Sequence, residues 1–84
     1  MDYKIQVCNT IDMAIIEEFP SSASIRGNIS ACIQEDICQN WTSSRYKEEE
    51  EYVTRIVNKD TGEVDDYIPS KSFVVKEGKI VFTI

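Results

Sequence analysis

Acidic side chains concentrate between Glu48 and Asp66. This segment holds eight acids against Arg55 and Lys59, a net charge of −6, which equals the formal charge of the whole protein. The rest of the chain carries seven acids and seven bases. The acids of the segment are Glu48, Glu49, Glu50, Glu51, Asp60, Glu63, Asp65 and Asp66. Closely spaced carboxylates are therefore the groups of this chain most able to bind a partner or a ligand.

Dense carboxylates can present negative charge to a basic protein groove much as a phosphate backbone does, with fast, salt-sensitive association. They can also form a solvated surface that aids solubility. Metal binding is a third use, because Asp60, Glu63, Asp65 and Asp66 offer hard oxygen ligands. Their spacing does not match the EF-hand loop, however, which needs acids at fixed alternate positions before its glycine. We expect no metal and no cofactor.

The chain lacks the residues that catalysis usually requires. It contains no histidine, no Gly-rich phosphate loop and no Cys-x-x-Cys pair among its three cysteines. The adjacent acids Glu17 and Glu18 would point to opposite faces of a strand and could not act on one substrate. We expect the protein not to be an enzyme.

Three tyrosines flank or lie within the acidic segment: Tyr46, Tyr52 and Tyr67. Tyrosine beside acids suits a protein interface, where the ring covers area and the hydroxyl finds a partner. The same rings could belong to the rim of the core, and both interpretations stay open. The predicted partner-binding residues are Glu48, Glu49, Glu50, Glu51, Tyr52, Asp60, Glu63, Asp65, Asp66 and Tyr67.

One long helix, from Ser24 to Trp41, is predicted to cover a sheet. Its apolar residues recur at spacings of three and four and form one stripe. Asp36 falls inside this stripe, where a carboxylate needs a partner or a wet edge. The stripe consists of Ile25, Ile29, Cys32, Ile33 and Ile37.

Alternating apolar residues predict strands on both sides of this helix. Tyr3 to Val7 opens the sheet, and the run from Ile11 to Phe19 fits either a second strand or a short helix. Tyr52 to Val57 reads as a strand that a turn at Lys59–Gly62 connects to a partner strand, Glu63 to Ile68. That register pairs Val57 with Val64, Arg55 with Asp66 and Val53 with Ile68.

A last hairpin is expected from Phe73 to Val75 and from Ile80 to Ile84. Phe73, Val75, Ile80, Phe82 and Ile84 can share one face as the floor for the helix. Val74 and Val81 then lie on the opposite face, where they could contact water, another layer or a second copy in a homodimer.

Together these elements predict a single α+β domain over residues 1–84. Its antiparallel sheet has about five or six strands packed on one long helix, in the order ββαββββ, or βααββββ if Ile11–Phe19 is helical. A chain of 84 residues buries only about 60 to 65% of its unfolded surface, so a function on the surface is favoured. No apolar run reaches the length of a membrane span, and we expect a cytoplasmic protein without direct contact to nucleic acid or membrane.

The profile of the chain is short, acidic and α+β, with no active-site motif. In this profile it resembles the small inhibitors that phages make against bacterial nucleic-acid enzymes, including anti-CRISPR proteins and other DNA mimics. The resemblance implies a protein-binding module that occupies the basic surface of a nucleic-acid-binding protein. Two alternatives are a homo-oligomer that sequesters a small ligand through its tyrosines or Asp36, and a structural or assembly subunit.

Overall fold

The computed structural model describes residues 3–21 and 29–83, with the backbone alone at residues 29 and 30. Five antiparallel strands form one sheet in the spatial order β2-β1-β3-β4-β5, and one α-helix and one 3₁₀ turn complete the described part. The predicted α+β architecture is confirmed. The elements are β1 (Tyr3–Asn9), β2 (Ile15–Pro20), α1 (Ile29–Asn40), the 3₁₀ turn (Ser43–Arg45), β3 (Glu51–Asn58), β4 (Ser72–Lys76) and β5 (Lys79–Phe82).

The run from Ile11 to Phe19 contains a strand rather than a helix. Residues 10–14 form the connection, in which the Asn9 side chain accepts the backbone N–H groups of Ile11 and Asp12 at 3.2 and 3.0 Å. Met13 has a positive φ of 59°, which reverses the chain before β2 begins at Ile15. The first hairpin is therefore confirmed, with a shorter second strand and a register shift between Val7 and Cys8.

The helix packs its predicted apolar stripe on the sheet. Ile33 and Ile37 are fully buried, and Cys32 is partly buried against the same core. Asp36, inside the stripe, is also buried and accepts a hydrogen bond from the Ser21 hydroxyl at 3.0 Å. The helix ends at Asn40. The predicted first turn, Ser24 to Asn28, lies outside the described residues.

The structure does not contain the second strand of the predicted acidic hairpin, Glu63 to Ile68. Of the segment Glu63–Ile68, only Val64 bridges β3, opposite Val57, and the Asp65 N–H donates to the Ile56 carbonyl at 2.8 Å. The pairings of Arg55 with Asp66 and of Val53 with Ile68 do not form. Val53 pairs instead with Ser72, because β4 occupies the first half of this edge of β3, while β1 pairs along the other edge. The described sheet thus has five strands.

The core lies between the sheet and the helix, and strand residues on the helix side of the sheet contribute side chains to it. Its aromatic part crosses the sheet as a chain of ring contacts, with centroids 4.9 to 6.0 Å apart. Such edge-to-face and tilted arrangements add to the free energy of burial. The chain runs through Trp41, Tyr46, Tyr52, Phe73 and Phe82.

One acid of β2 anchors the connection after the helix. The Glu17 carboxylate accepts the Thr42 N–H at 3.0 Å and the Tyr46 hydroxyl at 2.9 Å, and it lies 3.7 Å from the Arg45 guanidinium. Burial and this carboxylate together raise the pKa of Tyr46 well above its usual range. Glu18 points the other way, to Gln6 and Lys4, as the alternation of a strand requires.

Candidate functional site

Strand β3 divides the predicted contact residues into two groups. Glu48–Glu51 lie before and at the start of the strand, and Asp60–Tyr67 follow its end. The seven residue steps from Glu51 to Asn58, at about 3.3 Å each, separate the groups by about 23 Å. We name the first group the glutamate run (residues 48–51) and the second the acidic loop (residues 59–67). The structure does not bring them together into one hairpin.

The glutamate run supports the fold. The Glu48 carboxylate accepts the backbone N–H groups of Glu77 and Gly78, both at 3.0 Å, in the turn between β4 and β5. Glu50 accepts the Tyr52 hydroxyl at 3.2 Å. Two of the four glutamates therefore hold neighbouring segments in place. Glu49 and Glu51 are exposed.

Tyr52 is part of the core, with only 2% of its surface exposed. Its hydroxyl accepts the Lys47 N–H at 2.8 Å, and its ring meets that of Tyr46 edge to face. Burial raises the pKa of Tyr52, and the Glu50 carboxylate acts in the same direction. The prediction that Tyr52 contacts a partner is therefore wrong, because its ring is buried.

Backbone hydrogen bonds fix the first half of the acidic loop. The Asn58 side chain accepts the N–H groups of Asp60 and Thr61 at 2.8 and 3.3 Å, and the Gly62 N–H donates to the Asn58 carbonyl at 2.8 Å. Gly62 has a positive φ of 75°, as the turn prediction requires. The chain then returns to β3, where the Asn58 N–H donates to the Glu63 carbonyl at 2.9 Å. This half of the loop is pre-organised.

Asp65 fixes the second half. Its carboxylate accepts the Tyr67 N–H at 3.0 Å, and its carbonyl accepts the Ile68 N–H at 3.3 Å. The carboxylate also lies beside the hydroxyl of Tyr3, a core residue. Burial, and then the charge of Asp65, raise the pKa of Tyr3. Asp65 thus serves the fold as Glu48 does.

The remaining side chains of the acidic loop face solvent. The carboxylates of Asp60, Glu63 and Asp66 make no hydrogen bond or ion pair with any residue that the structure describes. Tyr67 is 97% exposed, the most exposed of the large hydrophobic residues described. The loop curls around an open depression of about 280 Å³, whose lining includes Asn58, Val64 and three of the acids, Glu63, Asp65 and Asp66. Three free carboxylates and one exposed ring therefore share a fixed loop.

Sequence reasoning missed Asn58, which lies at the end of β3 and positions the whole loop. The signal was available, because asparagine before Asp, Thr and Gly favours a turn in which its side chain caps the following N–H groups. Within residues 3–21 and 29–83, no group of three or more Cys, Asp or Glu side chains is arranged to hold a metal ion.

Comparison with protein-family models, with curated proteins and with solved structures found no match. In the part of the chain that the structure describes, the helix is too short and too polar to cross a membrane.

Proposed function

We propose that this protein is a binding module that places its acidic loop against the basic surface of a nucleic-acid-binding protein and inhibits that protein by occupying the surface. The observation that carries the proposal is the fully exposed Tyr67 beside three carboxylates that have no partner within the described fold. The resemblance in profile to phage inhibitors of the DNA-mimic type points to the same class of partner.

Charge supports a basic partner. Residues 59–67 carry four acids against Lys59. Exposed carboxylates speed the encounter with a cationic groove and make the affinity fall as salt rises. The protein as a whole carries −6, so nucleic acid itself would be repelled.

Pre-organisation supports the loop rather than the glutamate run as the contact. The hydrogen bonds from Asn58 and Asp65 hold the loop backbone before any partner arrives, which reduces the entropy lost on binding. Tyr67 then supplies a rigid ring of the kind that dominates interface energetics. Glu48 and Glu50, by contrast, would have to abandon their internal hydrogen bonds to reach a partner.

The test compares three proteins as baits in bacterial lysate: wild type, a loop variant (D60N/E63Q/D66N) and a control variant (E49Q/E51Q/E77Q). Both variants remove three negative charges, and none of these six carboxylates is bound within the described fold. We expect wild type and the control variant to retain the same basic nucleic-acid-binding protein and the loop variant to lose it. The retained protein is then purified and titrated.

With the purified partner, the loop variant should bind about tenfold more weakly at low salt, which is about 1.4 kcal/mol. Tyr67→Ala, which leaves the charge unchanged, should weaken binding by about 30-fold or more. Duplex DNA should compete with wild type for the partner. Equal affinity of the loop variant and wild type, or binding unaffected by DNA, would contradict the proposal. Loss of binding by the control variant alone would contradict the proposal and move the contact to the surface formed by the glutamate run and Glu77.

A further inference from the structure

The two edge strands of the sheet, β2 and β5, differ in how well they are protected from pairing with a further strand. At the β2 edge, Arg45 donates to the Ile16 carbonyl at 3.4 Å, the 3₁₀ turn is held by Glu17, and Pro20 has no N–H to offer. These are devices by which proteins prevent a further strand from pairing. The β5 edge (Lys79–Phe82) has no proline, no bulge and no covering segment among the described residues.

The register of the last hairpin determines which backbone groups of β5 are free. Lys76 and Lys79 close a two-residue turn in which Glu77 and Gly78 have positive φ, and the Thr83 N–H donates to the Ser72 carbonyl at 2.8 Å. The residues at 79, 81 and 83 therefore direct their N–H and C=O groups toward β4. Ile80 and Phe82 direct theirs away from the sheet.

The side chains along this edge are apolar. Ile80 and Phe82 are half-buried on the helix side of the sheet, and Val81 is 44% exposed on the opposite side. The one charge of the strand, Lys79, lies at its start. The edge thus offers four backbone hydrogen-bonding groups between apolar side chains, which is what an added strand requires.

We propose that a second copy of this chain adds its own β5 to this edge, antiparallel and about a two-fold axis at Val81. In this register Ile80 of each copy lies opposite Phe82 of the other, and the two pairs exchange four backbone hydrogen bonds. Within residues 79–83, moving the register by one residue would place an outward-directed residue opposite an inward-directed one, and moving it by two would lose half of the four bonds. These five residues are therefore complementary to themselves in one register.

This register also suits the side chains and the charge. Val81 faces the Val81 of the second copy, Ile80 and Phe82 extend the helix-side core across the axis, and Lys79 lies opposite Thr83. Residues 71–83 carry three lysines and one glutamate, and these lysines offset part of the repulsion from the glutamate run, which lies beside β4. The acidic loops lie far from the axis, beyond the end of β3, so they stay accessible in the dimer.

The first experiment measures solution mass by sedimentation over a dilution series, for wild type, Val81→Lys and Val64→Lys. The two valines are matched controls, because they are 44% and 41% exposed and only Val81 lies on β5. We expect wild type and Val64→Lys to form a dimer of twice 9.6 kDa. Opposed lysines should raise the dimer dissociation constant of Val81→Lys about tenfold or more. Circular dichroism verifies that both variants are folded.

The second experiment measures amide hydrogen exchange at Ile80 and Phe82 in the same dilution series. Both amides should be protected in the dimer and lose protection on dilution, while the already bonded Thr83 amide should change little. A monomer throughout the series would overturn the proposal, as would a dimer that Val81→Lys does not weaken. A dimer in which the Ile80 and Phe82 amides exchange freely would also overturn it, because the copies would then pack through another surface.

Discussion

The glutamate run and the acidic loop carry four acids each, yet they differ in what their carboxylates contact. The run passes beside β4, where Glu48 bridges Val75 and lies next to the N–H groups of the following turn. The carboxylates of Asp60, Glu63 and Asp66 follow the end of β3 and bond to no residue that the structure describes. Carboxylate density alone therefore does not separate structural acids from those available to a partner.

The two tyrosines of the predicted contact set show the same contrast. Tyr52 alternates inward on β3 and fills the core between Tyr46 and Phe73. Tyr67 follows the strand and is exposed almost completely. A tyrosine next to acids can thus belong to either surface or core, and its position relative to the strand decides which.

The largest expected effect comes from comparing Tyr52→Ala with Tyr67→Ala. Removing the buried ring should lower the free energy of unfolding by about 3 to 5 kcal/mol, because it leaves a cavity in the aromatic core. Removing the exposed ring should change it by less than about 0.5 kcal/mol. Urea denaturation of both variants measures the difference. Similar stabilities for the two would show that Tyr52 is not a core residue.

A smaller effect is expected from neutralising two acids in each region. E48Q/E50Q should destabilise the fold by about 1 to 2 kcal/mol, because charge-assisted hydrogen bonds to two amides and one hydroxyl weaken. E63Q/D66N has the same change of charge and should stay within about 0.5 kcal/mol of wild type. Thermal unfolding at one ionic strength compares them. If the loop variant lost as much stability as the run variant, the distinction between the regions would fail.

Alkaline pH should sharpen the comparison by acting on the buried phenols. Burial raises the pKa of Tyr46 and Tyr52 above the unfolded value of about 10. At a pH between the unfolded and the folded pKa, the folded state holds more protons than the unfolded state. The contribution of these phenols to the free energy of unfolding is therefore complete below about pH 10 and falls as the pH rises above it. The slope is at most about 1.4 kcal/mol per pH unit for each phenol.

Urea midpoints at several values between pH 8 and pH 11 test this dependence. Tyr52→Phe should flatten the slope, because it removes one of the buried phenols. Equal slopes for wild type and Tyr52→Phe would mean that the hydroxyl of Tyr52 is not held in its neutral form by the fold.

Several elements could be predicted because they depend on neighbours along the chain. The stripe through Ile33 and Ile37, the turn ending at Gly62 and the Val57–Val64 pair are all confirmed. The shared face of Phe73 and Val75 is confirmed as well. Each follows from the period of a helix or a strand, or from glycine's access to positive φ, and none requires a distant contact.

The strand Glu63–Ile68 was not found, although its sequence pairs well with β3. Both segments could pair with the same edge of β3. The structure pairs residues 51–53 of β3 with β4, which places Phe73 and Val75 in the core. Only Val64 retains a bridge. The residue pattern of segment 51–68 cannot predict this outcome, because the strand that pairs with β3 instead, β4, lies further along the sequence.

By itself, then, the sequence determined the class of the fold, the buried faces of β1, α1 and β4 and the confinement of the charge to residues 48–66, since all three depend on the order and spacing of residue types. Tertiary structure alone decided the strand order, the separation of the acids by the length of β3, and the division into bound and free carboxylates. The physical reason is that a carboxylate binds whichever donor the fold brings within hydrogen-bond distance. For Glu48 the donors lie 29 and 30 residues away in sequence, whereas for Asp66 the described fold brings none.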